Sequence, residues 1–248
     1  MEEKVLYEEL TPDEFIARIS KAPIAYLPLG TLEWHGRHLP LGSDGLQSKG
    51  FFIRLAREVG GIVLPMLFLG PDIKQTVGDR EYYGMDIIGF EKGSPAKLAG
   101  SAYRIEDDLY LQIIEAILKQ LKRAGFEIVV AHGHGPSTGQ FQANIEKWSR
   151  EFGLKLFVCW REDESDGLGI QTDHAAANET SLMMAMYPGL VRMENLDANP
   201  DTWPLAVAGR DPRIYASPET GMKAVDMQLE RMKGILSAEL AELKKENS

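Results

Sequence analysis

The chain predicts an α/β fold built in three layers, a mostly parallel sheet flanked by helices on both faces. Three observations lead there. Short apolar runs alternate with segments of helical period, and the helical segments run roughly 10 to 20 residues, the length of a βαβ crossover. The strand-like runs at 24–29 and 62–67 are apolar nearly end to end, as strands covered on both faces are. No repeat, low-complexity tract or linker breaks the series, so one domain over residues 1–248 is expected.

Thr11-Pro12-Asp13-Glu14 reads as a capping box with proline at the first helical position, opening a helix that carries Phe15, Ile16 and Ile19 inward. The run 24–29 is a strand stopped by Gly30. Residues 46–59 place Phe52, Ile53, Ala56 and Val59 at helical spacing, and Gly60-Gly61 ends that helix. Residues 62–67 form the next strand. The stretch 68–103 is rich in glycine and proline without clear period, an uncommon length for a loop unless it is functional or hides structure. Residues 106–124 give the strongest helix, with Leu109, Ile113, Ile117 and Leu121 on one face and Gly125 as its stop. A β-branched strand at 126–131, a helix at 140–152 and a strand at 154–159 follow. A polar loop spans 161–172, a helix begins near Ala177, and an amphipathic helix fills about 219–243.

Composition excludes several classes. The chain has 248 residues, and its formal charge of −10 argues against a phosphate-backbone partner, so no nucleic acid is expected. A single cysteine, Cys159, excludes a disulfide framework and a cysteine-rich zinc module. No apolar stretch is long enough to span a bilayer and no secretory h-region is visible, so a cytoplasmic location without a membrane partner is expected. The five histidines stand out, each in a short window rich in Gly, Asp or Glu. Histidine is both the commonest metal ligand and the usual proton shuttle near neutral pH.

The first window, Gly30-Thr31-Leu32-Glu33-Trp34-His35-Gly36-Arg37-His38-Leu39-Pro40-Leu41-Gly42-Ser43-Asp44, follows a strand. It therefore sits at a carboxyl end, where open α/β sheets place their sites. Glu33 and His35 point to one side of extended backbone, and Asp44 stands just ahead of a helix. Carboxylate, imidazole and carboxylate suit Zn, Mn or Fe and suit Ca poorly. The plainer alternatives are a helix N-cap for Asp44 and a solvated loop carboxylate for Glu33. The second window, His132-Gly133-His134-Gly135-Pro136-Ser137, also ends a strand and carries two histidines at alternate positions. The third, Asp173-His174-Ala175-Ala176-Ala177-Asn178-Glu179-Thr180-Ser181, pairs Asp173 with His174 as a general acid or base would be paired. Glu179 lies about one helical turn further on; here the alternative is that Asp173 starts the helix and Glu179 faces solvent.

Together the three windows resemble the creatininase (creatinine amidohydrolase) family over most of the chain. Glu33-x-His35-Gly36-x-His38-Leu39-Pro40 with Asp44 is the most specific part, followed by Gly133-His134-Gly135 and His174-Ala175-Ala176-x-x-Glu179-Thr180-Ser181. The resemblance implies a creatininase-like fold, a centre of two divalent ions (Zn, Mn or Fe), a small-molecule substrate and a homo-oligomer, commonly a hexamer. It implies Glu33, His35, Asp44 and His134 as metal ligands, with Asp44 bridging, and Glu179 as the remaining carboxylate. It makes His174 the proton shuttle, with Asp173 beside it as a catalytic candidate. The sequence departs from the family at His132, which replaces Asn, and at Pro136, where creatininase carries a Glu.

The reaction expected from this resemblance is attack of a metal-bound hydroxide on a carbonyl, opening a small ring or cleaving an amide. The missing Glu favours a polar, carbohydrate-like cyclic ketone, an oxidised inositol, over creatinine. A cyclic amide or formamide hydrolase is the alternative; a metal-dependent isomerase or a non-catalytic metal-binding oligomer is the alternative of another class. Trp34, Arg37, His132 and Tyr83 are candidates to touch substrate, with Tyr82, Trp160 and Trp203 as further aromatic candidates for the pocket wall. The long C-terminal helix and residues 68–103 are the expected interface parts.

Overall fold

The computed structural model describes residues 3–88, 95–159 and 168–246. In chain order the elements are α1 (Pro12–Lys21), β1 (Ile24–Leu29), α2 (Ser43–Val59), β2 (Ile62–Val63), β3 (Lys74–Val77), β4 (Arg80–Tyr83) and α3 (Met85–Ile88). They continue with α4 (Asp107–Arg123), β5 (Ile128–Gly133), α5 (Gly135–Ala143), α6 (Ile145–Phe152) and β6 (Lys155–Phe157). The chain closes on α7 (Ala177–Met186), α8 (Pro212–Tyr215) and α9 (Pro218–Glu246).

The central sheet runs β2-β1-β5-β6 and every pairing in it is parallel. Alternation along its strands builds a core on each face. Ile24, Tyr26, Ile128 and Val130 face one way, onto Phe51, Phe52 and Leu55 of α2 and Val225 and Met232 of α9. Ala25, Leu27, Leu29, Val129 and Ala131 face the other way, onto Tyr110, Ile114 and Leu118 of α4, with Phe141 and Trp148 behind them. Burying each large side chain stabilises the fold by roughly 1.5–3 kcal/mol, so two such faces hold the three layers together.

Strand order fixes where a site forms. From β1 the chain moves to β2 on one side and later returns to β5 on the other, so the switch point is the crevice beyond the carboxyl ends of β1 and β5. Leu29 and Gly133 are register partners at those ends. Gly133 has φ 147°, and a Cβ there would lie 1.7 Å from the Leu29 carbonyl oxygen, so only glycine lets β5 close on β1 at this point.

Several elements differ from the sequence expectation. The capping box of α1 forms, with Glu14 N–H donating to Thr11 Oγ1 and Thr11 N–H to Glu14 Oε2, but Ile16 is exposed while Phe15 and Ile19 pack inward. The buried stripe of α4 is Tyr110, Ile114, Leu118 and Leu121. That stripe is shifted one residue from the expected one except at Leu121, which both share; Tyr110 is buried with its hydroxyl donating to the Ser137 carbonyl at 2.9 Å. Residues 68–103 contain the β3–β4 hairpin around Gly78 and the short α3. The segment 140–152 is two helices meeting at Asn144. Helix α9 turns its buried residues onto its own chain, against α7 and α2. No helix among the described residues is long and apolar enough to cross a membrane.

Candidate metal centre

Four elements bring the site together. The loop after β1 carries Glu33 and His35, the first turn of α2 carries Asp44, and the residue after β5 is His134. Helix α2 starts earlier than periodicity indicates, so Asp44 is inside its first turn and makes no N-cap bond; Gly42 is the cap residue. Helix α7 supplies Glu179, and the turn before it supplies His174. Glu33, His35, Asp44, His134 and Glu179 are all buried.

The donors converge. His35 Nε2 lies 3.2 Å from Asp44 Oδ1 and 3.6 Å from Glu179 Oε2. His134 Nε2 lies 3.5 Å from Glu33 Oε1. Glu33, Asp44 and His134 are close enough to share one ion, as are His35, Asp44 and Glu179, and as are Glu33, His35 and His174. Asp44 belongs to the first two groups. Its Oδ1 already accepts from Gln171 Nε2 at 3.1 Å, while Oδ2 is buried without a partner among the described residues. An orphaned carboxylate oxygen inside a mixed N/O donor set fits a divalent cation.

Electrostatics point the same way. Burial raises the pKa of Glu33, raises Glu179 to about 8 and raises Asp72 to about 6. Burial opposes charge on His35, but Asp44, then Glu179 and Glu33, outweigh it and lift that ring to about 10. In return Asp44 is held below the usual carboxylate range despite its burial. Without an ion the cluster thus takes a proton on His35 as its counter-charge. His134 falls to about 4 through burial, and Ser137 Oγ is 3.1 Å from its Nδ1. With that nitrogen bonded to the hydroxyl, Nε2 is the atom turned to Glu33.

His174 is oriented by backbone. Its Nε2 lies 2.8 Å from the Trp34 carbonyl, and its ring stacks on His35 with centroids 4.3 Å apart. Burial and the neighbouring His35 lower its pKa to about 3. Asp173 does not orient it, contrary to expectation. Asp173 Oδ2 accepts from Asn178 N–H at 2.7 Å and Oδ1 from Glu179 N–H at 3.1 Å, so this carboxylate holds the start of α7. Glu179 in turn accepts from Ala175 N–H at 2.8 Å.

The cavity over this cluster is about 210 Å³; its wall includes Glu33, Asp44, Asp72, His134, His174 and Glu179. Four expected substrate contacts lie elsewhere. His132 is fully buried inside β5, with Nε2 3.2 Å from the Ile170 carbonyl; alternation alone would put it on the same side as His134, but the chain leaves the sheet at Gly133 (φ 147°), so His134 enters the crevice while His132 stays in the sheet. Tyr83 bonds to Glu81 and lies under Arg104 at 4.4 Å. Trp34 and Arg37 line a neighbouring hollow, their cation–π separation 5.7 Å, and the indole donates to the Ala99 carbonyl. Trp203 donates to the Val207 carbonyl at 2.8 Å, and Trp160 falls outside the described residues. His38, for which the sequence suggests no role, ties its loop to α7 through Thr180 Oγ1 at 2.8 Å. Asp72 and Gln171 are site residues without a sequence signal: both sit in aperiodic segments, and Gln171 takes the left-handed backbone (φ 58°).

Comparison with known proteins gives a consistent picture. The family model described as creatinine amidohydrolase (Creatininase) matches residues 8–232. A curated relative, the creatinine amidohydrolase of Pseudomonas putida, is 27% identical over 225 residues, covering 82% of this chain and 80% of the relative. A solved creatininase described as a manganese form aligns with TM-score 0.73 at 22% identity, covering 96% of this chain and 99% of that one. A mutant creatininase of Zn-Zn type aligns with TM-score 0.72 at 22% identity and the same coverage. At that identity the structural likeness carries the fold.

Proposed function

Since this chain belongs to the creatininase family of metal-dependent hydrolases, we propose that it binds two divalent ions and adds water to the carbonyl carbon of a small molecule. Glu33, Asp44 and His134 would hold one ion and His35, Asp44 and Glu179 the other, with Asp44 common to both sets. Zinc and manganese, the metals of the solved relatives, and iron all suit this donor set. When bound, the ions supply an acidified water and Lewis-acid polarisation of the carbonyl.

The chain's own residues do the rest. Gln171, held by Ser48 Oγ at 3.0 Å, fixes Asp44 Oδ1 and leaves Oδ2 for metal. The Trp34 carbonyl takes the proton of His174 Nε2, so Nδ1 is the basic atom of a neutral ring at the cavity wall. His174 accepts a proton from the attacking water and returns it to the leaving atom. The substrate proposed is a small polar ring, with an oxidised inositol favoured over creatinine because Pro136 stands where creatininase carries a Glu. A homo-oligomer is part of the proposal, with the largely exposed β3–β4 hairpin as a surface offered to a second copy.

One observation carries this reading: Asp44 belongs to both ion-sharing groups and has a buried, unpartnered oxygen. Metal analysis of the purified chain is the test. The wild-type protein should carry two divalent ions and Asp44→Ala should lose most of both; unchanged content in the variant overturns the assignment. For any substrate turned over, oxygen-18 from solvent should enter the product, whereas an isomerase would leave it unlabelled.

A further inference from the structure

Asp72 stands in the wall of the same cavity but outside every ion-sharing group among the described residues. Its side chain is 11% exposed. Oδ1 accepts from Ile73 N–H at 2.7 Å and lies 4.0 Å from His134 Nε2, beyond Glu33 at 3.5 Å. Oδ2 accepts no hydrogen bond among the described residues. Arg104, the cation whose field reaches Asp72, is engaged by both oxygens of Glu106 at 2.7 and 2.9 Å and stacked over Tyr83. A carboxylate oxygen in a mostly buried side chain, with no hydrogen-bond donor among the described residues and its nearby cation engaged elsewhere, is matched by a donor on the ligand.

The fold holds Asp72 in this place. Gly84 N–H donates to the Ile73 carbonyl at 2.9 Å, closing the base of the β3–β4 hairpin, and Ile105 N–H donates to the Gly70 carbonyl at 3.0 Å. Gly84 has φ 51°, and a Cβ there would lie 2.2 Å from Asp72 Oδ2 and 2.9 Å from Glu33 Oε2. A bare α-carbon therefore lets the two carboxylates stand side by side. Beyond Asp72 the space continues: a second hollow of about 370 Å³ shares Asp72, Ile73 and Pro136 with the first.

We propose that Asp72 is a specificity-determining residue whose Oδ2 accepts a hydrogen bond from a hydroxyl carried next to the attacked carbonyl. The inference rests on the hydrolase reading of the centre and names its substrate class: an α-hydroxylated amide or ketone whose remainder extends over Pro136. A neutral hydroxyl suits this position better than an ammonium, which two nearby divalent ions would repel.

The experiment compares 2-piperidinone with 3-hydroxy-2-piperidinone as ligands of the zinc-loaded full chain, by calorimetry or saturation-transfer NMR, with metal content measured in parallel. The wild-type protein should prefer the hydroxylated lactam by about tenfold or more, the scale of a hydrogen bond to a charged group. Asp72→Ala and Asp72→Leu should abolish that preference while both ions stay bound. Absence of the preference in the wild type, its survival in both variants, or no binding of either lactam to the two-ion protein overturns the proposal. Loss of an ion in the variants overturns it too, by making Asp72 a ligand. The wild-type comparison stands alone if a variant fails to fold. A wild-type chain that takes up no divalent ion brings down the metal reading itself, an outcome separate from all of these.

Discussion

Under the proposed function, the role of His174 follows from what its two nitrogens meet. With Nε2 on the Trp34 carbonyl and the ring stacked on His35, Nδ1 is the nitrogen without a hydrogen bond among the described residues and so the one that would carry the proposed proton transfer. His174→Ala should therefore keep both ions and lose about 10²–10⁴-fold in turnover, the range for a positioned acid–base group. Loss of metal instead would make His174 a ligand, the arrangement open to it beside Glu33 and His35. The metal-free cluster also predicts a pH dependence. His35, lifted to about 10, and Glu179, lifted to about 8, hold more protons folded than unfolded above neutrality. Their contribution to stability is fully present at lower pH and is lost as pH rises toward those values. His38, His132, His134 and His174, all pushed down by burial, act in the opposite sense only below about 6.5. Melting of the metal-free protein should therefore move to lower temperature between pH 7 and 10, and added zinc should flatten the trend, since metal competes with protons for these groups. A metal-free melting temperature that rises over that window contradicts the electrostatic picture. Residue type and spacing singled out the windows that hold Glu33, His35, Asp44, His134, His174 and Glu179. Their joining in one centre was legible only through the family resemblance, since spacing alone left Glu33, Asp44 and Glu179 with plainer readings. Asp72 and Gln171 were not singled out, since a carboxylate and an amide in aperiodic loops look like solvated polar residues until the chain folds.

At the scale of elements, strand ends and helix starts did the placing. Two adjacent parallel strands end together, and the residues just past them, Glu33, His35 and His134, are delivered to one crevice. Window boundaries misled where an element ran longer than its pattern. Strand β5 reaches Gly133, which takes His132 into the sheet, and α2 begins at Ser43, which makes Asp44 a helix residue. Helix α7 depends on Asp173, whose two oxygens take the amides of Asn178 and Glu179. Asp173→Ala should cost about 0.5–2 kcal/mol of stability, read as a lower melting temperature. Because the Trp34 carbonyl still holds the imidazole, turnover should fall less than about tenfold, far short of the loss expected for a general acid–base group. A deficit matching that of His174→Ala would restore Asp173 as the orienting partner. The hairpin within 68–103 did have a signal, Thr76-Val77-Gly78-Asp79-Arg80 with a two-residue turn, but its strands are exposed and lack the apolar alternation that marks a half-buried pair.

For the whole molecule, the sequence expectation of one domain over 1–248 predicts a single cooperative unfolding transition, raised in temperature by zinc or manganese because the ions bind only the folded cluster. Two separated transitions by calorimetry would divide the chain. The homo-oligomer is checked by light scattering; a monomer at all concentrations would withdraw the hairpin as an interface. By itself the sequence determined the α/β class, the family and the residue types of the metal centre, because periodicity, β-branched runs and clustered His, Asp and Glu are local properties of the chain. Only the tertiary structure decided which of those side chains meet. Whether Asp173 serves a helix or a histidine, whether His132 faces a substrate or a carbonyl, and whether Asp72 joins the cavity depend on contacts between residues far apart in sequence. Those contacts are fixed by strand order, pleat and helix start, and no window of neighbouring residues contains them.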